Sequence, residues 1–82
     1  MNSTRQQLMG ERESLKQKDM AVIIAGKAAI DAIKNTLATS SVIPLEKINA
    51  QAVLHYAEEL AIAQNRHKDL REKIQAITEE LE

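Results

Sequence analysis

The chain has 82 residues, no cysteine and a formal charge of -1 from 11 basic and 12 acidic side chains. A chain of this length forms one small domain, and without cysteine neither a disulfide nor a thiolate metal site can strengthen it. The near-neutral charge gives no general attraction to nucleic acid or anionic lipid, so nucleic acid is not an expected partner. One tyrosine is the only aromatic residue, which leaves an aliphatic core that favours helices over sheets.

We expect neither a targeting signal nor a membrane segment in the N-terminal half. The opening MNSTRQQLMGERES has mixed charges and lacks the apolar core of a secretory signal, so we expect a cytoplasmic protein. The apolar stretch AVIIAGKAAIDAIKNTLA at residues 21 to 38 is interrupted by Lys27, Asp31 and Lys34. Because a spanning helix needs about 20 apolar residues and buried charges are costly in lipid, this stretch is predicted to pack against another helix.

Two helices and one turn account for the chain. The segment TSSVIPLEK at residues 39 to 47 has the composition of a turn, and proline suits the first turn of a helix. We predict a first helix over residues 4 to 39, a turn over 40 to 43 and a second helix over 44 to 81. Such helices fold back on each other, so the predicted fold is an all-α antiparallel hairpin resembling a coiled coil.

The second helix carries the three- and four-residue spacing of a coiled-coil seam. The predicted seam within the chain consists of Val53, Tyr56, Leu60, Ala63, His67, Leu70, Ile74 and Ile77, facing Val22, Ile30 and Ile33. Arg12 and Asp19 interrupt the seam of the first helix, so we expect residues 1 to 19 to pack less firmly. Two interpretations of His67 stay open: it fixes the register or loosens the seam on protonation, or its ring tip lies in water at the seam edge.

A second apolar side on each helix predicts self-association. It consists of Ala21, Ala25, Ala28, Ala29 and Ala32 in the first helix and Ala50, Leu54, Ala57 and Ala61 in the second. A lone hairpin would leave these residues exposed as a patch that soluble monomers rarely tolerate. We predict a homodimer forming a four-helix bundle around residues 20 to 63. The alternative is a monomeric three-helix bundle, in which the chain breaks at Gly10 and the segment before Asp19 covers the alanine side.

The sequence shows no pattern typical of a catalytic, cofactor or metal site. His55 has Glu58 and Glu59 three and four residues further on, and this is too few ligands for a metal unless two-fold symmetry doubles the set. We therefore predict no enzyme activity, no cofactor and no metal, with a symmetric metal-binding bundle as an alternative.

Charged residues towards the open end of the hairpin form a candidate surface for a partner protein. Acidic Asp69 and Glu72 interrupt the basic run in this region, and Asp69 is spaced to pair with Lys73. This interruption favours a solvated helix face over a phosphate-binding patch. The predicted partner surface consists of Arg66, Lys68, Arg71, Glu79 and Glu80.

The run Ile43, Pro44, Leu45 and Glu46 resembles the Leu-Pro-Leu-Glu element that opens a helix in the small subunit of exonuclease VII, which assembles on a large catalytic subunit. The likeness covers these residues and the helical pattern, and the aromatic and glycine landmarks of that family are missing, so no family is assigned. The resemblance implies an accessory subunit of a nucleic-acid-processing complex. The favoured function is a non-enzymatic adaptor, inhibitor or accessory subunit that self-associates and binds another protein through a helix face.

Overall fold

The structure, a computed structural model, describes residues 2–38 and 40–82. Helix α1 spans Asn2–Leu37 and helix α2 spans Ala50–Leu81, and the two pack as an antiparallel hairpin 65 Å long and 15 Å wide. The predicted all-α hairpin is confirmed, since the described residues contain helices and no strand. None of the helices within this part of the chain is apolar enough over a sufficient length to cross a membrane.

Helix α1 is continuous through Gly10, where an added Cβ atom would meet nothing within 4 Å. The three-helix alternative required a break at this residue and is therefore wrong. Gly26 lies in the contact between the helices, because a Cβ atom there would be 3.4 Å from the Cβ of Ala63. A small residue at this position lets the two helix axes approach closely.

The connection between the helices is longer than predicted. Helix α1 ends at Leu37, and its predicted end at Thr39 lies outside the described residues. Pro44 has an extended backbone (ψ 144°) and precedes a 3-10 turn over Leu45–Lys47, not the α-helix. Helix α2 begins at Ala50 because the side chain of Asn49 accepts a hydrogen bond from the backbone N–H of Ala52 at 3.0 Å, and asparagine is a preferred N-cap residue.

The heptad positions of α2 form its buried side. All eight predicted seam residues of this helix are buried or half-buried, and Leu81 extends the series. In α1, Val22 and Ile33 are half-buried. The prediction that Ile30 lies in the seam is wrong, since its side chain is 37% exposed. The helical spacing of α1 places Gly26, Ala29 and Ile33 at the centre of the seam. Ile30 therefore lies on the flank of the seam.

The N-terminal part of α1 packs along the last turns of α2. An Nη1 of Arg5 donates to the backbone carbonyl of Leu81 at 2.9 Å, and Nη1 of Arg12 donates to Oγ1 of Thr78 at 3.4 Å. The predicted weakness of residues 1 to 19 was based on Arg12 and Asp19, and both have polar partners in α2. A lower local stability of this part stays a prediction.

The hairpin has a thin core. Its buried apolar residues are Ala29, Ala63, Ile74, Ile77 and Leu81, and no described side chain is less than 2% exposed. Side chains of protein cores are normally surrounded on all sides, which two helices alone cannot achieve. Large aliphatic side chains therefore stay partly in water, such as Ile24 at 66% and Leu54 at 54% exposed.

Candidate functional site

A polar pair crosses the seam near the middle of the hairpin. Asp19 is 5% exposed, and its Oδ1 accepts a hydrogen bond from Nδ1 of His67 at 2.6 Å. The side chain of His67 is 40% exposed, so its ring lies at the edge of the seam. Because a buried carboxylate without a donor is costly, a slip of one helix along the other is disfavoured. The structure places His67 at the seam edge in contact with Asp19, whereas a register-fixing role and an effect of protonating His67 stay predictions.

One side of the hairpin presents alanines from α1. The groove on this side is lined by Ala21 and Ala25 of α1 and by Arg66 of α2, with Ile62 beside it. We call this surface the alanine face. Helical spacing assigns to it Ala21, Ala25, Ala28 and Ala32 together with Glu59, Ile62, Arg66 and Asp69.

The opposite side presents large aliphatic residues from α1 and small ones from α2. Ile23 and Ile30 line a groove there together with Leu60 and Gln64, and Ala57 lies seven residues before Gln64, on the same side of α2. We call this surface the aliphatic face. It consists of Ile23, Ile30 and Leu37 with Ala50, Leu54, Ala57, Ala61 and Gln64.

The residues predicted for self-association lie on both faces instead of one. The exposed members from α1 are on the alanine face, whereas those from α2 are on the aliphatic face. The prediction that Ala29 belongs to the self-association surface is wrong, because Ala29 lies in the seam between the helices and is only 3% exposed. A helical wheel drawn for each helix separately cannot show which flanks share a side, because that depends on how the helices pack. A single flat partner therefore cannot cover the whole predicted set.

The two faces differ in charge. Glu59 and Arg66 line the alanine face, which makes the α2 half of that surface polar. On the aliphatic face, Lys27 lines the groove and Lys34 follows seven residues later on the same side of α1. The α2 half of this face carries no charge between residues 50 and 64, since Glu58 lies at its outer edge.

The remaining predicted polar contacts are local. Asp69 pairs with Lys73 at 3.1 Å, as the sequence predicts, and Nε2 of His55 lies 3.0 Å from Oε1 of Glu59. Both side chains of the His55 pair are more than half exposed. Within the described residues, no three His, Cys, Asp or Glu side chains are grouped so that they could hold a metal ion. A symmetric metal site would thus depend entirely on a second chain.

The predicted partner surface does not lie on one side of α2. All its members are exposed, namely Arg66, Lys68, Arg71, Glu79 and Glu80. Arg66 lines the groove of the alanine face, whereas Arg71 and Glu79 border a shallow depression on α2 itself. A partner that used the whole set would have to wrap around the helix.

Comparisons with known protein families, with curated proteins and with solved structures find no match to this chain. The likeness to the small subunit of exonuclease VII stays limited to the run around Pro44 and the helical pattern, and in this chain that run leads into a 3-10 turn and does not open α2.

Proposed function

We propose that the chain is a non-enzymatic protein–protein interaction module, acting in the cytoplasm, that self-associates and presents a free helix face to another protein. The observation that carries this proposal is the incomplete core. No described side chain is fully buried, and aliphatic side chains of both helices flank the seam in partial contact with water.

Packing a second hairpin against the first would bury these side chains. Each square ångström of apolar surface removed from water contributes about 25 cal/mol, whereas a two-helix chain of this size gains little from its own core. A dimer of hairpins gives each helix two neighbours and produces a four-helix bundle, a common solution for helices with a broad apolar side. The surfaces outside the dimer contact would then be available to a partner protein.

The experiment that tests this proposal is thermal unfolding at a series of protein concentrations, followed by circular dichroism at 222 nm. Because association stabilises the folded state by mass action, the melting midpoint of a self-associating hairpin should rise with concentration. A midpoint that is the same over a hundredfold concentration range would show that the chain folds as a monomer and would overturn the self-association proposal.

A further inference from the structure

We propose that the aliphatic face receives a second copy of this chain, with both hairpins pointing in the same direction. This proposal rests on the self-association proposed above and assigns to it one face and one direction. It follows from the sizes and charges of residues that lie at equal heights along the hairpin.

The antiparallel packing defines which residues of α1 and α2 lie at the same height. Contacts across the seam join residues whose numbers add to between 86 and 90: Arg5 with Leu81, Arg12 with Thr78, Asp19 with His67, and Gly26 with Ala63. By this relation, Ile30 lies level with Ala57 and Leu37 lies level with Ala50. At these two levels of the aliphatic face, a large side chain of α1 is thus level with an alanine of α2.

In a dimer whose two-fold axis runs parallel to the helices, the large side chains of one copy pack against the small side chains of the other. This axis places α1 of each copy on α2 of the other at the same height, so that Ile30 of one copy meets Ala57 of the second copy. The reverse contact is identical by symmetry. At the levels of Ile30 and Leu37, large side chains then enter the spaces above alanines of the second copy, as close packing of helices requires.

A two-fold axis across the helices would give a poorer fit. It would place α1 on α1, where large side chains oppose each other, and α2 on α2, where alanines would leave a gap. It would also bring Lys27 of one copy near Lys34 of the other, and like charges at short range are unfavourable. In the same-direction dimer, Lys27 instead lies on the uncharged side of α2, within about one helical turn of Glu58 of the second copy. The charges therefore favour the same direction as the side-chain sizes.

The aliphatic face is large enough for a dimer that dissociates on dilution. Residues 23 to 37 of α1 span about 21 Å, and two adjacent helices are about 20 Å wide. Each copy contributes on the order of 400 Å² of flat area, or about 800 Å² for the pair, which is below the roughly 1,200 Å² of standard specific interfaces and in the range of weak, transient ones. A second copy thus suffices to cover this face, and we expect an equilibrium between monomer and dimer.

A size exchange between two variants tests both the face and the direction. Ile30→Ala leaves two holes in its own dimer, and Ala57→Ile introduces two clashes, so each variant alone should dimerise at least about tenfold more weakly. In an equimolar mixture, one isoleucine meets one alanine at both contacts, and dimerisation should return to the wild-type level. The control is Ala25→Glu on the alanine face, which should leave the dimer unchanged. Dimerisation is measured by sedimentation equilibrium, and circular dichroism confirms that each variant is helical.

The outcomes separate this inference from the proposal on which it rests. A wild-type chain that is monomeric at all concentrations would overturn self-association itself. A wild-type dimer that is split by Ala25→Glu but tolerates Ile30→Ala would leave self-association intact and overturn the choice of face. Weak dimers of both single variants that do not recover on mixing would overturn the same-direction arrangement.

Discussion

Replacing each glycine of α1 by alanine separates helix propensity from packing in this hairpin. Both glycines lie inside the helix, where glycine costs about 1 kcal/mol relative to alanine. At Gly10, an added Cβ meets nothing within 4 Å, so Gly10→Ala should raise the free energy of unfolding by about 1 kcal/mol through propensity alone. At Gly26, the new methyl group would lie 3.4 Å from the Cβ of Ala63 and 3.9 Å from Cδ1 of Leu60, which is ordinary van der Waals contact.

The expected gain is larger at Gly26, because this position is buried. Burial of one methyl group adds up to about 0.8 kcal/mol to the gain in propensity, so Gly26→Ala should stabilise the fold by about 1 to 2 kcal/mol. In a domain of this size, about 1 kcal/mol corresponds to a shift of about 4 to 8 °C in the melting midpoint. Gly26→Leu would push the helices apart and should destabilise the fold by about 1 to 3 kcal/mol.

The assay is urea unfolding followed by circular dichroism, with all variants at one protein concentration because association changes the midpoint. A loss of stability in Gly26→Ala would refute the packing argument, since it would mean that the helices cannot accommodate a methyl group at this contact. A gain near zero in Gly10→Ala alone would indicate that the first third of α1 is frayed, as the sequence predicts.

Three further predictions can be checked by the same assay. Asp19→Ala should lower the free energy of unfolding by about 1 to 2 kcal/mol because His67 loses its acceptor. Asp19→Leu combined with His67→Leu should restore or exceed the wild-type stability. A double variant less stable than both single variants would contradict this. Asn49→Ala should cost about 1 kcal/mol and Asn49→Asp little, since only alanine removes the cap; equal losses would exclude the capping role. Leu45→Ser should change stability by less than about 0.5 kcal/mol, because Leu45 is 84% exposed, and a larger loss would mean that another chain covers it.

The sequence predicts the seam of α2 well because one regular pattern determines it. From Val53 to Leu81 the spacing of three and four residues is unbroken, and a helix with this spacing has only one side to bury. The start of α2 was predicted six residues too early. Pro44 and Asn49 are both good starting residues by type, and the choice depends on backbone angles that single residues do not reveal.

The arrangement of the two faces could not be predicted, because it depends on the relation between the helices. Asp19 and His67 were each recognised as polar interruptions of a seam, yet their pairing requires the register that brings them within 2.6 Å. The orientation in which the two helices face each other decides that Ala57 shares a side with Ile30 and not with Ala25. The heptad pattern does not predict that Gly26 lies in the contact between the helices, because that pattern is defined by apolar side chains. Gly26 contributes to the contact by having no side chain, which lets α2 approach closely.

Static light scattering of the wild-type chain over a series of concentrations would decide whether the hairpin self-associates. We expect a mass that approaches twice the 9.1 kDa of one chain at high concentration and falls on dilution. A mass of one chain at every concentration would contradict self-association and leave the aliphatic face uncovered.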